Sequence, residues 1–109
     1  MIDELAALHG ATRILTRGVD ALSDAELAEP SLLPGWTRAH VVAHLALNAE
    51  GLAGVLRAAA GGGVAPMYAS QEQRDGDIET LGATSPTQLR DRFLAGCTAV
   101  QDALPPLPA

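Results

Sequence analysis

Four hydroxyl residues, Ser23, Thr37, Ser70 and Ser85, each head a run whose apolar residues recur at helical spacing. A side-chain oxygen there accepts hydrogen bonds from the free N–H groups of a helix's first turn, so such residues mark where helices begin. Glu26, Gln73 and Gln88 follow Ser23, Ser70 and Ser85 by three residues, the spacing of a capping box, and Pro86 stands at a first helical position. The chain is thus punctuated as a series of helices. Aromatic residues make up 3% of it, which leaves little to favour a sheet.

Periodicity fills in the elements. Ile2, Leu5, Leu8, Leu15, Val19 and Leu22 predict a helix over 2–21, and Ser23 opens a short turn over 24–28. Pro30 and the Pro34–Gly35 pair force a loop. A long helix is expected from the Thr37 cap to residue 60, where Gly61, Gly62 and Gly63 stop it. Residues 64–69 form a loop, 70–80 a short helix, and the Ser85 signal opens a last helix with Leu89, Phe93, Cys97, Val100 and Leu104 as its core stripe. The proline-rich stretch after Leu104 reads as a connection. The expected fold class is all-α. Residues 1–109 hold three substantial helices, one fewer than a four-helix bundle needs, so a truncated bundle is expected.

Composition excludes several roles. The net charge is −6, the seven basic residues are all arginine, and they are scattered, so neither a nucleic-acid face nor a cationic membrane-binding stripe is expected. No basic-then-apolar leader opens the chain, and no uninterrupted apolar run is long enough to cross a bilayer, which leaves a cytoplasmic protein as the expectation. Cys97 is the single cysteine, expected as an ordinary buried residue.

The chemistry-bearing segment is residues 33–48. His40 and His44 stand four apart on neighbouring positions of one helix face, a spacing that can bind a metal ion. A helical wheel puts Val41, Leu45, Leu52, Val55 and Leu56 on one apolar side, with His44 and Asn48 in that sector, His40 at its edge, and Glu50 and Arg57 opposite. His44 is then either a ligand aimed inward or a core polar group satisfied by Asn48 or the backbone. Trp36 fits a hydrophobic staple beside the Thr37 cap. Arg74 fits a surface partner of Glu72, Asp75 or Asp77, and Met67 and Tyr68 suit loop packing.

The segment Leu33-Pro34-Gly35-Trp36-Thr37-Arg38-Ala39-His40-Val41-Val42-Ala43-His44 resembles the signature of the mycothiol-dependent maleylpyruvate isomerases, and Pro66-Met67-Tyr68-Ala69-Ser70, with Arg74 and Ile78, resembles a second block of that family. The resemblance implies a DinB-like, up-down four-helix bundle and a zinc enzyme with mycothiol as its thiol cofactor. It implies that His44 is a zinc ligand, that His40 is mostly structural, and that the other ligands come from a Glu-x-x-x-His motif on a later helix. No such motif occurs in this chain, which should therefore carry one ligand of three and lack both the last bundle helix and a C-terminal domain. The reaction implied is cis–trans isomerisation of maleylpyruvate to fumarylpyruvate. Zinc would present the thiol as a thiolate, and Arg74 would meet the dianionic substrate. The competing reading is a non-catalytic helical module for regulation or interaction.

Overall fold

The computed structural model describes residues 2–104, all its regular structure being helical: α1 (Ile2–Asp20), α2 (Asp24–Leu27), α3 (Arg38–Ala60), α4 (Gln71–Gly82) and α5 (Pro86–Ala103). Each expected cap is made. Ser23, Thr37, Ser70 and Ser85 accept from the backbone N–H of Glu26, His40, Gln73 and Gln88 respectively. The expected side chain of Ile2 and the segment 105–109 lie outside the described residues.

The core gathers around α5. Leu89, Phe93, Cys97 and Val100 are all buried, as their spacing required, and Phe93 is fully enclosed. Against them lie Val42, Ala43, Ala46 and Leu47 of α3, Ile78 and Leu81 of α4, Val19 of α1 and Leu27 of α2. Leu89 sits near His40, Gly96 near Ala46 and Ala49, and Val100 near Leu52, so α5 runs in the same direction as α3. The crossover through α4 makes this possible. Helix α1 runs the opposite way, with Leu22 and Asp24 held by Arg90 at one end and Thr12 near Val100 at the other.

Small residues set the spacing along α3. A Cβ on Gly96 would stand 3.1 Å from the Ala46 carbonyl oxygen and 3.2 Å from Ala49 Cβ, so glycine lets α5 approach α3 closely. A Cβ on Gly51 would stand only 2.6 Å from the Met67 carbonyl oxygen, which admits the 64–70 loop onto the same helix.

The wheel reading of α3 needs correction. Its buried residues are Val42, Ala43, Ala46, Leu47 and Ala53, not the Val41–Leu45–Leu52–Val55–Leu56 sector. Val41 and Leu45 instead line an apolar groove of about 640 Å³ between α3 and α1, with Ile14, Leu15 and Leu33 on its other walls. Leu8 and Leu15, expected in the α1 core stripe, are correspondingly exposed. A helix apolar on both sides is one meant to lie between partners. By length and composition alone α3 is also long and apolar enough to cross a bilayer, although α4 and α5 pack on one side of it.

Candidate metal and substrate site

The site begins in the turn before α3. Gly35 has φ +79°, a left-handed conformation that glycine adopts without steric cost. The Ser31 N–H donates to the Trp36 carbonyl at 2.9 Å, and the Arg38 N–H donates to the Glu29 carbonyl at 2.9 Å, closing the turn on itself. Trp36 is thereby pinned at the mouth of α3, packed against the core and stacked on His40 with ring centroids 6.3 Å apart.

His40 completes the helix cap. Its Nδ1 accepts from the Thr37 backbone N–H at 3.1 Å and lies 2.9 Å from the Thr37 hydroxyl. The ring hydrogen therefore falls on Nε2, which donates to Glu79 of α4 at 3.2 Å. With both nitrogens engaged, His40 does the work that Glu or Gln does in the usual capping box.

His44, one turn on, has a different environment. The wheel aimed it at the interior, but the ring is half-buried on the border of the packed side. Its centroid lies 5.9 Å from that of Trp36. Arg74 donates from Nη2 to His44 Nδ1 at 3.1 Å. Arginine has no acceptor, so His44 Nδ1 carries the lone pair and Nε2 the hydrogen. Burial lowers the His44 pKa, and the positive charge of Arg74 lowers it further, which keeps the ring neutral at pH 7.

Arg74 links both halves of the site. Besides His44 it pairs with Asp75 at 3.0 Å, and its guanidinium carbon lies 5.7 Å from the centre of the Tyr68 ring. Tyr68 in turn donates its hydroxyl to Asn48 Oδ1 on α3 at 3.1 Å. The surface-partner reading of Arg74 is met at Asp75, and the same guanidinium also turns inward to His44. Asn48 finds its partner in Tyr68, not in His44, and Tyr68 does more than pack.

These residues do not by themselves make a zinc centre. A catalytic zinc site needs about three protein ligands, and among the described residues no cluster of three or more His, Cys, Asp or Glu could hold a metal ion. His44 supplies one imidazole, and its Nδ1 is occupied by a donor that no metal-bound nitrogen could accommodate.

Sequence reasoning brought His44 and Arg74 into view separately and did not foresee their contact. It missed Glu79, the partner of His40. It also missed the ion pair in which Arg92 of α5 grips both oxygens of Glu50 at 2.8 and 3.0 Å. For Glu50 a signal existed: a carboxylate in mid-helix beside a side lined by alanines, where a cation from the facing helix can reach it.

The profile of the family described as mycothiol maleylpyruvate isomerase N-terminal domain matches residues 8–109. The chain belongs to that family. Two crystal structures of the mycothiol-dependent maleylpyruvate isomerase, one of them a histidine-to-alanine variant, are similar to it at 33% and 32% identity, each with a TM-score of 0.85. Each match covers 94% of this chain and 43% of the solved one, so this chain spans less than half the length of those relatives. No curated protein matches it. The all-helical, DinB-like expectation is met, and the two sequence blocks that carried the resemblance are those joined here by Arg74.

Proposed function

We propose that this domain serves mycothiol-dependent cis–trans isomerisation of maleylpyruvate to fumarylpyruvate, with Arg74 binding a substrate carboxylate and His44 acting as a metal ligand. The observation that carries the reading is the family match over residues 8–109, and within the fold Arg74 and His44, from its two sequence blocks, meet beside Trp36. In the reaction, the thiolate of mycothiol adds to the conjugated double bond, forming a C–S bond and leaving an enolate. The former double bond then rotates as a single bond, and elimination of the thiolate restores it as trans.

Arg74 suits the carboxylate because its guanidinium offers a planar pair of donors. Its present partners are exchangeable: Asp75 is 60% exposed, and the His44 nitrogen is neutral. A substrate carboxylate would replace them with one bidentate contact, fixing the double bond beside the thiol. His44 would join zinc ligands from outside the described residues.

The same reading assigns the groove between α1 and α3 to a fourth bundle helix drawn from the part of the solved relatives that this chain does not span. The large apolar residues of α3 on that side support the assignment.

The test uses the native polypeptide that carries this sequence. Conversion of maleylpyruvate should require mycothiol, and Arg74→Met should raise KM by about tenfold or more, the loss of one charge-assisted pair. An unchanged KM would remove Arg74 from the substrate site. Equal zinc content in the wild type and His44→Ala would remove the ligand assignment.

A further inference from the structure

Arg74 stands near the start of α4, where the carboxylate of Asp77, three residues on, is a natural partner along the helix surface. It does not take that partner. Its Nη1 donates to Asp75 at 3.0 Å, and its Nη2 turns across to the neutral ring of His44 on α3 at 3.1 Å. Glu50, the other acid lining the cavity beside Arg74, is held by Arg92 through both oxygens. A carboxylate attracts a guanidinium more strongly than a neutral imidazole does. The inward direction of Arg74 therefore needs a cause besides its hydrogen-bond partners.

Tyr68 supplies it. The guanidinium carbon lies over the Tyr68 ring, 5.7 Å from its centre. Such a contact draws on the charge of the cation and uses none of its N–H groups, so the donors of Arg74 stay available. The ring can direct Arg74 only if it is fixed itself, and Tyr68 belongs to a loop without regular structure. Two positions on one face of α3 fix it. Gly51 leaves room for the Met67 carbonyl, which seats the backbone next to Tyr68. Asn48 Oδ1 accepts from the Tyr68 hydroxyl at 3.1 Å, at the far end of the ring. The phenol is held at both ends.

We infer that Asn48 and Tyr68 are positioning residues for Arg74: the Asn48 amide fixes the phenol, and the phenol's face turns the guanidinium away from Asp77 and toward His44. Neither side chain needs to touch a substrate. Loosening Arg74 lowers the fraction of molecules ready to bind, which raises KM by that factor and leaves the later steps alone. This kinetic consequence rests on the substrate reading of Arg74 above; the aiming of the side chain does not.

The experiment uses the native polypeptide that carries this sequence and reads NMR and kinetics on the same variants. Nuclear Overhauser contacts between the Arg74 δ-methylene and the Tyr68 ring, with the Arg74 Nε–H shift, report where the guanidinium points. Tyr68→Phe keeps the ring and removes the hydroxyl, and Asn48→Ala removes the acceptor. Each should weaken those contacts and move the Nε–H signal toward that of an exposed arginine. Each should also raise KM for maleylpyruvate about three- to tenfold, the range of one hydrogen bond, with kcat nearly unaltered. The double variant should be no worse than either single one, because both break the same bond. In an Arg74→Met background Tyr68→Phe should add nothing to KM, whereas a merely structural Tyr68 would keep its effect there. The inference is overturned if the Arg74 signals of both single variants match the wild type, if their effects add in the double variant, or if Tyr68→Phe raises KM as much without Arg74 as with it. Loosened Arg74 signals beside an unchanged KM in every variant, Arg74→Met included, would remove Arg74 from the substrate site and leave the positioning inference standing.

Discussion

The two long sides of α3 are built on opposite terms. One carries Ala43, Ala46, Leu47 and Ala53, buried against α4, α5 and the 64–70 loop, with Gly96 and Gly51 bringing neighbouring backbone within touching distance. The other carries the bulkier Val41 and Leu45, and looks into an open groove. Small residues make the tight seam because they let backbones approach, and large ones need a partner deep enough to receive them. Size, more than hydrophobicity, tells the sides apart.

The sharpest way to break this contrast is to remove bulk from each side in turn. Phe93 is fully buried in the tight seam, so Phe93→Ala should destabilise the chain by about 3–5 kcal/mol, enough to unfold a small domain. Ile14, 72% exposed on the groove wall, should change stability by no more than about 0.5 kcal/mol on substitution by alanine. Chemical denaturation of the two variants measures both. Comparable losses would show that the groove is closed in solution and the two sides are alike.

Glycines sharpen the comparison at the scale of one methyl group. Gly96→Ala pushes a Cβ against the Ala46 carbonyl oxygen and Ala49, and should cost about 1–3 kcal/mol as an overpacked contact. Gly51→Ala meets the Met67 carbonyl oxygen more closely still and should also displace Tyr68 from Asn48. Gly54, on the same helix, has nothing within 4 Å of its would-be Cβ, so Gly54→Ala should stabilise by about 0.5–1 kcal/mol through helix propensity alone. Thermal melts of the three should therefore split in sign. A shared sign would mean that backbone propensity, not the closeness of the seam, governs these positions.

Why the seam escaped the sequence, while the helices did not, follows from the same residues. Caps are local: Ser23, Thr37, Ser70 and Ser85 act within three residues of themselves, so they can be read without knowing the fold, and so can the single stripe Leu89–Phe93–Cys97–Val100 on a helix polar elsewhere. Helix α3 is apolar on both sides, and a wheel weighted by hydrophobicity chose the side of valine and leucine, which faces the open groove instead of the packed seam. The site was half legible. The two blocks holding His44 and Arg74 stood out as patterns, but the contact between them spans 30 residues and depends on Gly51 admitting the intervening loop. Nothing local announces that.

A smaller effect probes the end of α3 where the two sides meet. Thr37→Ala removes the acceptor for the His40 N–H and the hydroxyl beside His40 Nδ1, and should cost about 1 kcal/mol, typical of a lost N-cap. His40→Gln keeps an acceptor three residues after the cap and should lose less. If both variants lose equally, His40 matters for its stacking on Trp36 and not for the cap.

The least of these effects is the pH response of His44, which sits on the border between the packed and open sides. Its pKa in the folded chain lies below the ordinary value of 6.5, first because burial disfavours the charged ring and second because Arg74 stands beside it. The folded state thus prefers the neutral form. That preference contributes stability in full above about pH 6.5 and is lost as pH falls from there through the folded-state pKa. In metal-free protein the ring signals of His44 should titrate below the ordinary midpoint, and denaturation midpoints should fall over the same range. Arg74→Met should move the His44 midpoint only part of the way back, since burial is the larger cause and persists. Full return to the ordinary value would make Arg74 the dominant influence and the border position of the ring effectively solvent-exposed. No movement at all would mean that the 3.1 Å contact is not kept in solution, and His44 would then belong to the open side of α3.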